Sequence, residues 1–182
     1  MFNKKLTTLT MIFLMALAAV PVFGFKIGGQ PMVRLGTGAR SKAFLTIYYA
    51  SLYAPAELKG KSGKAIVEAN KPMGIIINVD TRFMSAAKLK DAIKKGFKKC
   101  GYPTGKSGAF TKQFSGLQIK KKDKFYIKYT PGAGVTTMYK KKGGSYKSLG
   151  TIGGLGFKKA LFAIWLGSNP VQSKLKRGML GK

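Results

Sequence analysis

The 182-residue chain has no histidine, one cysteine and only five carboxylates: Glu57, Glu68, Asp80, Asp91 and Asp123. Without histidine there is no general base for a Ser-His-Asp triad and no imidazole for a metal, and the scattered acids cannot furnish an EF-hand. Cys100 alone allows neither an internal disulfide nor a cysteine-ligated metal or iron–sulfur cluster. No cofactor is therefore expected, and stability has to come from packing. What the chain has in excess is positive charge, with 34 Lys and Arg and a formal net charge of +29. Its apolar fraction of 45% is too high for a disordered basic tail and is enough for one buried core.

Lys4 and Lys5 precede an apolar run from Leu6 to Val20, followed by Pro21, Val22, Phe23 and Gly24. That order is the basic, apolar and small-residue succession of a secretory signal, and the run is shorter than the roughly 20 residues of a spanning helix. Residues 1–24 are thus expected to be an address and residues 25–182 a single domain working in the periplasm or outside the cell.

In the mature part, the stretch from Pro31 to Ala39 reads as a short strand with its apolar content ending at Leu35. Phe44 to Tyr53 (FLTIYYASLY) is aromatic and β-branched and reads as a second strand, joined to the first around Arg40 to Lys42. Lys64 to Asn70 reads as a short helix and Gly74 to Asp80 as a buried strand. From Ser85 to Cys100, Ala86, Leu89, Ile93, Gly96, Phe97 and Cys100 fall in one helical stripe, with lysines over the rest of the surface. Lys124 to Thr130 and Val135 to Tyr139 make a hairpin. Ser148 to Ile152 adds a strand, Leu155 to Leu166 an apolar helix, and Val171 to Leu180 a last short helix. Strands with helices between and after them predict an α+β fold, an antiparallel sheet covered on one face by helices.

The short motifs are unproductive. Gly101 to Ser107 (GYPTGKS) lacks one residue of a phosphate loop and follows a helix instead of a strand. Gly60 to Ser62 has no upstream glycine, and Gly36 and Gly38 lack the third glycine of a dinucleotide fingerprint; these read as turns. Cys100 and Trp165 read as core. The lysines run from Lys26 to Lys182 without an aromatic ladder, which argues against nucleic acid; they read first as a solvated, general surface bias, with weak contact to an anionic membrane or wall polymer as the alternative. Arginine is the more informative cation, since only Arg34, Arg40, Arg82 and Arg177 occur and a guanidinium grips a carboxylate in two places. Arg40 stands just ahead of the strand holding Tyr48, and Arg82 just after the strand ending at Asp80.

The ordered segments GTGARSKAFLTIYYASLYAP, GIIINVDTRFMSAAKLKDAIKKGF, YTPGAGVTTMY, LGTIGGLGFKKALFAIWLG and SKLKRGMLG together resemble the bacterial-type chalcone isomerase-like domain over nearly all of the mature chain. The resemblance implies an open-faced β-sandwich with a ligand cleft between sheet and helices. It also implies a choice among plant enzymes that close a flavanone ring, plastid proteins that bind fatty acids, and members without demonstrated chemistry. Arg40 matches the enzymes' arginine approximately, with a shorter spacing to the next strand. Their threonine, tyrosine, asparagine and late threonine fall on Tyr48, Lys88, Lys95 and Ile164, so ring closure is not expected. Arg40 with Tyr48 instead resembles the carboxylate-holding pair of the fatty-acid-binding relatives. The expectation is a non-catalytic protein that binds a small amphipathic carboxylate such as a fatty acid. Arg40, Tyr48 and Arg82 are its candidate ligand residues, and Phe44, Leu52 and Phe97 line its groove. An isomerase (intramolecular lyase) with an altered site and a cationic envelope-surface adaptor are the alternatives.

Overall fold

A computed structural model of the chain describes residues 25–182, and the expected signal segment lies outside the described residues. Six antiparallel strands form one sheet in sequence order: β3 (Val33–Lys42), β4 (Leu45–Ala54), β5 (Met73–Val79), β6 (Lys124–Thr130), β7 (Gly134–Lys140) and β8 (Lys147–Ile152). Ahead of them, β1 (Lys26–Ile27) and β2 (Gln30–Pro31) make a separate small hairpin. Five α-helices complete the described residues: α1 (Gly63–Glu68), α2 (Ala86–Lys99), α3 (Ser107–Lys112), α4 (Leu155–Leu166) and α5 (Ser173–Met179), with one short 3-10 turn at Ala56–Leu58. This is the expected α+β architecture, an open antiparallel sheet with helices on one face.

The strands alternate as a half-buried sheet requires. Ile75, Ile77 and Val79 of β5 are buried toward the helices with Ala50, Leu52 and Ala54 of β4 and Phe125, Ile127 and Tyr129 of β6. The intervening Tyr53, Ile76, Tyr126 and Met138 face the other way, where Phe25, Ile27 and Met32 cover them in a second, smaller core. Each fully buried aliphatic or aromatic side chain contributes about 1.5–3 kcal/mol, so the larger cluster is the main source of stability.

Helix α2 begins where the side chain of Ser85 accepts from the backbone N–H of Lys88 at 3.2 Å. Ile93, Gly96, Phe97 and Cys100 of its stripe are buried, while Ala86 and Leu89 are only partly so. Helix α4 is apolar on every side and buried along its length because it is sandwiched between the sheet and the other helices. Its one buried charge, Lys158, donates to the carbonyls of Ile66, Val67 and Ala69 at 2.8 Å each, which caps the C-terminal end of α1. Three ammonium protons thus meet three carbonyl oxygens that the end of a helix would otherwise leave unpaired.

Two expectations are corrected. Gly36 and Gly38 are not turn residues but lie inside β3, which runs on to Lys42. A Cβ on either would stand 2.3 Å from a carbonyl oxygen of α5, of Gly178 and Leu175 respectively, so these glycines form the flat floor on which α5 rests. The β3–β4 connection accordingly falls at Ala43 and Phe44 instead of Arg40 to Lys42. Strand β3 lasts longer than its apolar content because α5 covers it and Thr37 bonds Ser51 across the ladder at 2.8 Å.

Candidate functional site

Because the turn comes later than expected, Arg40 is a strand residue, directly opposite Tyr48 in the β3–β4 ladder. Cross-strand partners share a face of the sheet. Here that is the helix-covered face, since the Tyr48 hydroxyl accepts a hydrogen bond from the indole N–H of Trp165 in α4 at 3.0 Å. The register shifts immediately after this pair, between Arg40 and Ser41. Such a bulge re-aims side chains at a sheet edge. Gln172, just before α5, holds the shifted segment by accepting from Ser41 N at 3.1 Å and donating to Ser41 O at 3.4 Å.

Arg40 is half-buried, and its single hydrogen bond among the described residues is a long one, 3.4 Å to Ser41 O. None of the four ion pairs among the described residues includes it. Burial pushes the Tyr48 phenol above its ordinary pKa, opposed by the Trp165 bond and the Arg40 charge, so the hydroxyl keeps its proton at every physiological pH. Trp165 takes a lone pair and leaves that proton to donate. A guanidinium without an acidic partner among the described residues and an undirected hydroxyl proton therefore belong to cross-strand neighbours, a donor set that fits a carboxylate.

The remaining expectations fare unevenly. Arg82 is exposed, its guanidinium lying 5.3 Å from the centre of the Phe83 ring. The groove expected from Phe44, Leu52 and Phe97 does not exist: Phe44 stands fully in solvent at the turn, whereas Leu52 and Phe97 belong to the closed core. Phe97 packs with Phe110 and Phe157 at ring separations of 6.1 and 6.0 Å, inside the buried cluster. The family positions that carry ring closure are also dispersed. Lys88 donates outward to Phe83 O at 3.1 Å, Lys95 pairs with Asp91 at 2.8 Å, and Ile164 is buried in α4.

Sequence reasoning missed a second organised feature, at the ends of β6 and β7. The buried carboxylate of Asp123 accepts from the backbone N–H groups of Lys120 and Lys142, each at 2.9 Å, and from the Tyr139 hydroxyl. One acid thereby ties both lysine runs, 120–122 and 140–142, together. Shallow depressions of about 290 and 280 Å³ lie beside them, the first including Tyr49 and Asp80 and the second Gly143. Asp123→Asn turns an acceptor oxygen into a donor facing N–H groups, and should cost about 2 kcal/mol in denaturant unfolding. An unchanged midpoint would show that the two loops hold themselves.

The fold and this geometry can be set beside known proteins. The chalcone isomerase-like family model matches residues 23–181. No curated protein sequence matches. Among solved structures, the Arabidopsis thaliana fatty-acid binding protein AtFAP1 is similar, with 16% identity and a TM-score of 0.63 over 82% of this chain and 86% of that one. At that identity the likeness is one of fold, and it agrees with the order of strands and helices described above. With the family model spanning both cores and every helix, the chain belongs to the chalcone isomerase-like family.

Proposed function

We propose that the protein is a non-catalytic binder of a small amphipathic carboxylate such as a fatty acid, exported to the periplasm or beyond. The observation that carries this reading is the pairing of Arg40, which has no acidic partner among the described residues, with the Tyr48 hydroxyl across the ladder. The headgroup would lie between the two, bonded by the guanidinium and by the phenolic proton. Its tail would follow the partly buried Met84 and Leu89 at the start of α2, because the deeper core is closed by aromatic side chains. That closure favours short or medium chains, each buried methylene adding about 0.8 kcal/mol. The basic, apolar and small-residue succession over residues 1–24 supports export.

Mass spectrometry of acids carried through native purification tests the reading. The expected result is a copurified acid, bound about 10- to 100-fold more weakly by Arg40→Ala because a charge-assisted bond is lost. A purified protein that carries no acid, and takes up none when offered, overturns it.

A further inference from the structure

The acid-binding reading leaves unused a surface at one end of the sheet. Register decides which segments meet there. Tyr48 pairs with Val79, Asn78 with Lys124, and Lys124 with Lys140. The β3–β4 turn, the segment after β5, the loop before β6 and the β7–β8 loop therefore all leave the sheet at the same end. Among the six exposed large apolar side chains of the described residues, five stand at this end: Phe44, Leu45, Tyr49, Phe83 and Tyr146. Phe44 is 107% exposed and Phe83 56%, so neither contributes to the core.

The same end carries both lysine runs, and their charge is almost unopposed. Asp80 is already bonded by Lys121 at 3.1 Å, and buried Asp123 is occupied by two backbone N–H groups and a hydroxyl. The shallow, open depression of about 280 Å³ is bordered by Lys122, Lys124 and Lys140–Lys142, so five lysines meet at one patch of surface. Protruding aromatics inside a collar of lysine match the two layers of an anionic bilayer surface, apolar chains below charged phosphates. A soluble polyanion would satisfy the lysines and leave both phenylalanines in water.

We propose that this end of the sheet docks on an anionic lipid bilayer, with Phe44 and Phe83 entering the interface and the lysine runs meeting lipid phosphates. Arg40 lies next to the β3–β4 turn, so docking would bring the acid site to the membrane, although the docking itself does not require that site. The test is sedimentation of the acid-free purified protein with vesicles of equal parts phosphatidylcholine and phosphatidylglycerol, with pure phosphatidylcholine vesicles and an anionic polysaccharide as the other arms. Binding is expected to the mixed vesicles and to fade with salt. Phe44→Ser and Phe83→Ser should each weaken it about tenfold while keeping the salt dependence. The combined Lys120→Ser, Lys141→Ser and Lys142→Ser change should weaken it about 100-fold and flatten that dependence. These side chains are outside the core and the bonds to Asp123 come from backbone, so circular dichroism should show each variant folded. No sedimentation with the mixed vesicles overturns the proposal. So does sedimentation that both Phe variants leave intact, or polysaccharide binding without vesicle binding.

Discussion

Lys158→Met is expected to lower the free energy of unfolding by about 3 kcal/mol, because it removes a buried ammonium that bonds three carbonyls at the end of α1. Methionine keeps most of the volume, so the loss isolates the ammonium group, whose Nζ also lies 5.6 Å and 5.3 Å from the centres of the Tyr129 and Phe162 rings. Its neighbour provides the contrast. Lys159 makes a partly solvated pair with Glu68, and Lys159→Met should cost much less. A pH signature accompanies the change, since burial pulls the Lys158 ammonium down from the ordinary 10.5 to about 7. Between these values the unfolded chain holds a proton that the folded chain has released. The wild type should therefore gain stability relative to Lys158→Met as pH rises from about 7 to 10.5, and the difference should be flat below that window. Relief of general lysine repulsion affects both proteins and cancels in the comparison. Urea unfolding at several pH values checks both statements; equal midpoints at all pH would mean that the lysine is not the cap.

Gly38→Val should have a comparable effect by a different route. The added Cβ would meet the Leu175 carbonyl at 2.3 Å and its γ-methyls would follow, so α5 cannot stay on β3 without moving. Overpacking of this kind costs about 3 kcal/mol where backbone opposes the new atoms, since no side chain can swing aside. The damage should be local. Hydrogen exchange is expected to accelerate in α5 and in β3 while β5 and β6 stay protected, and the thermal midpoint should fall. Gly105→Ala is the control, because nothing lies within 4 Å of a Cβ there and little change is expected. If Gly38→Val unfolds like the wild type, α5 is not seated on those glycines.

Much of this architecture is legible along the chain, where periodicity is one-sided. The stripe of α2 follows from apolar spacing because it packs against a single continuous core, whereas the bounds of α4 follow from a nearly unbroken apolar run that ends at Gly167. Strand β3 is not readable in this way. Its glycines serve a helix more than 130 residues away in sequence, and nothing local distinguishes a glycine floor from a turn. The same misreading puts Arg40 in a loop, whereas the ladder sets it opposite Tyr48. Phe44 reads as a groove residue in the acid-binding expectation, whereas the turn puts it in water. Lys158 left a faint signal: an otherwise apolar helix with adjacent lysines at 158 and 159 must turn one of them inward if it is buried all round. Asp123 left none, since it works through backbone groups of two loops joined only by the fold.

The chain's one tryptophan makes the central claim directly measurable. Trp165 donates to Tyr48, which faces Arg40, so an acid held there should change the indole emission. Titration with a medium-chain fatty acid is expected to give a saturable change in Trp165 fluorescence, weakened by about 10- to 100-fold in Arg40→Ala and left unaltered in Arg82→Ala. A flat titration, or the same saturation curve for the wild type and Arg40→Ala, would contradict a carboxylate site at Arg40 and Tyr48.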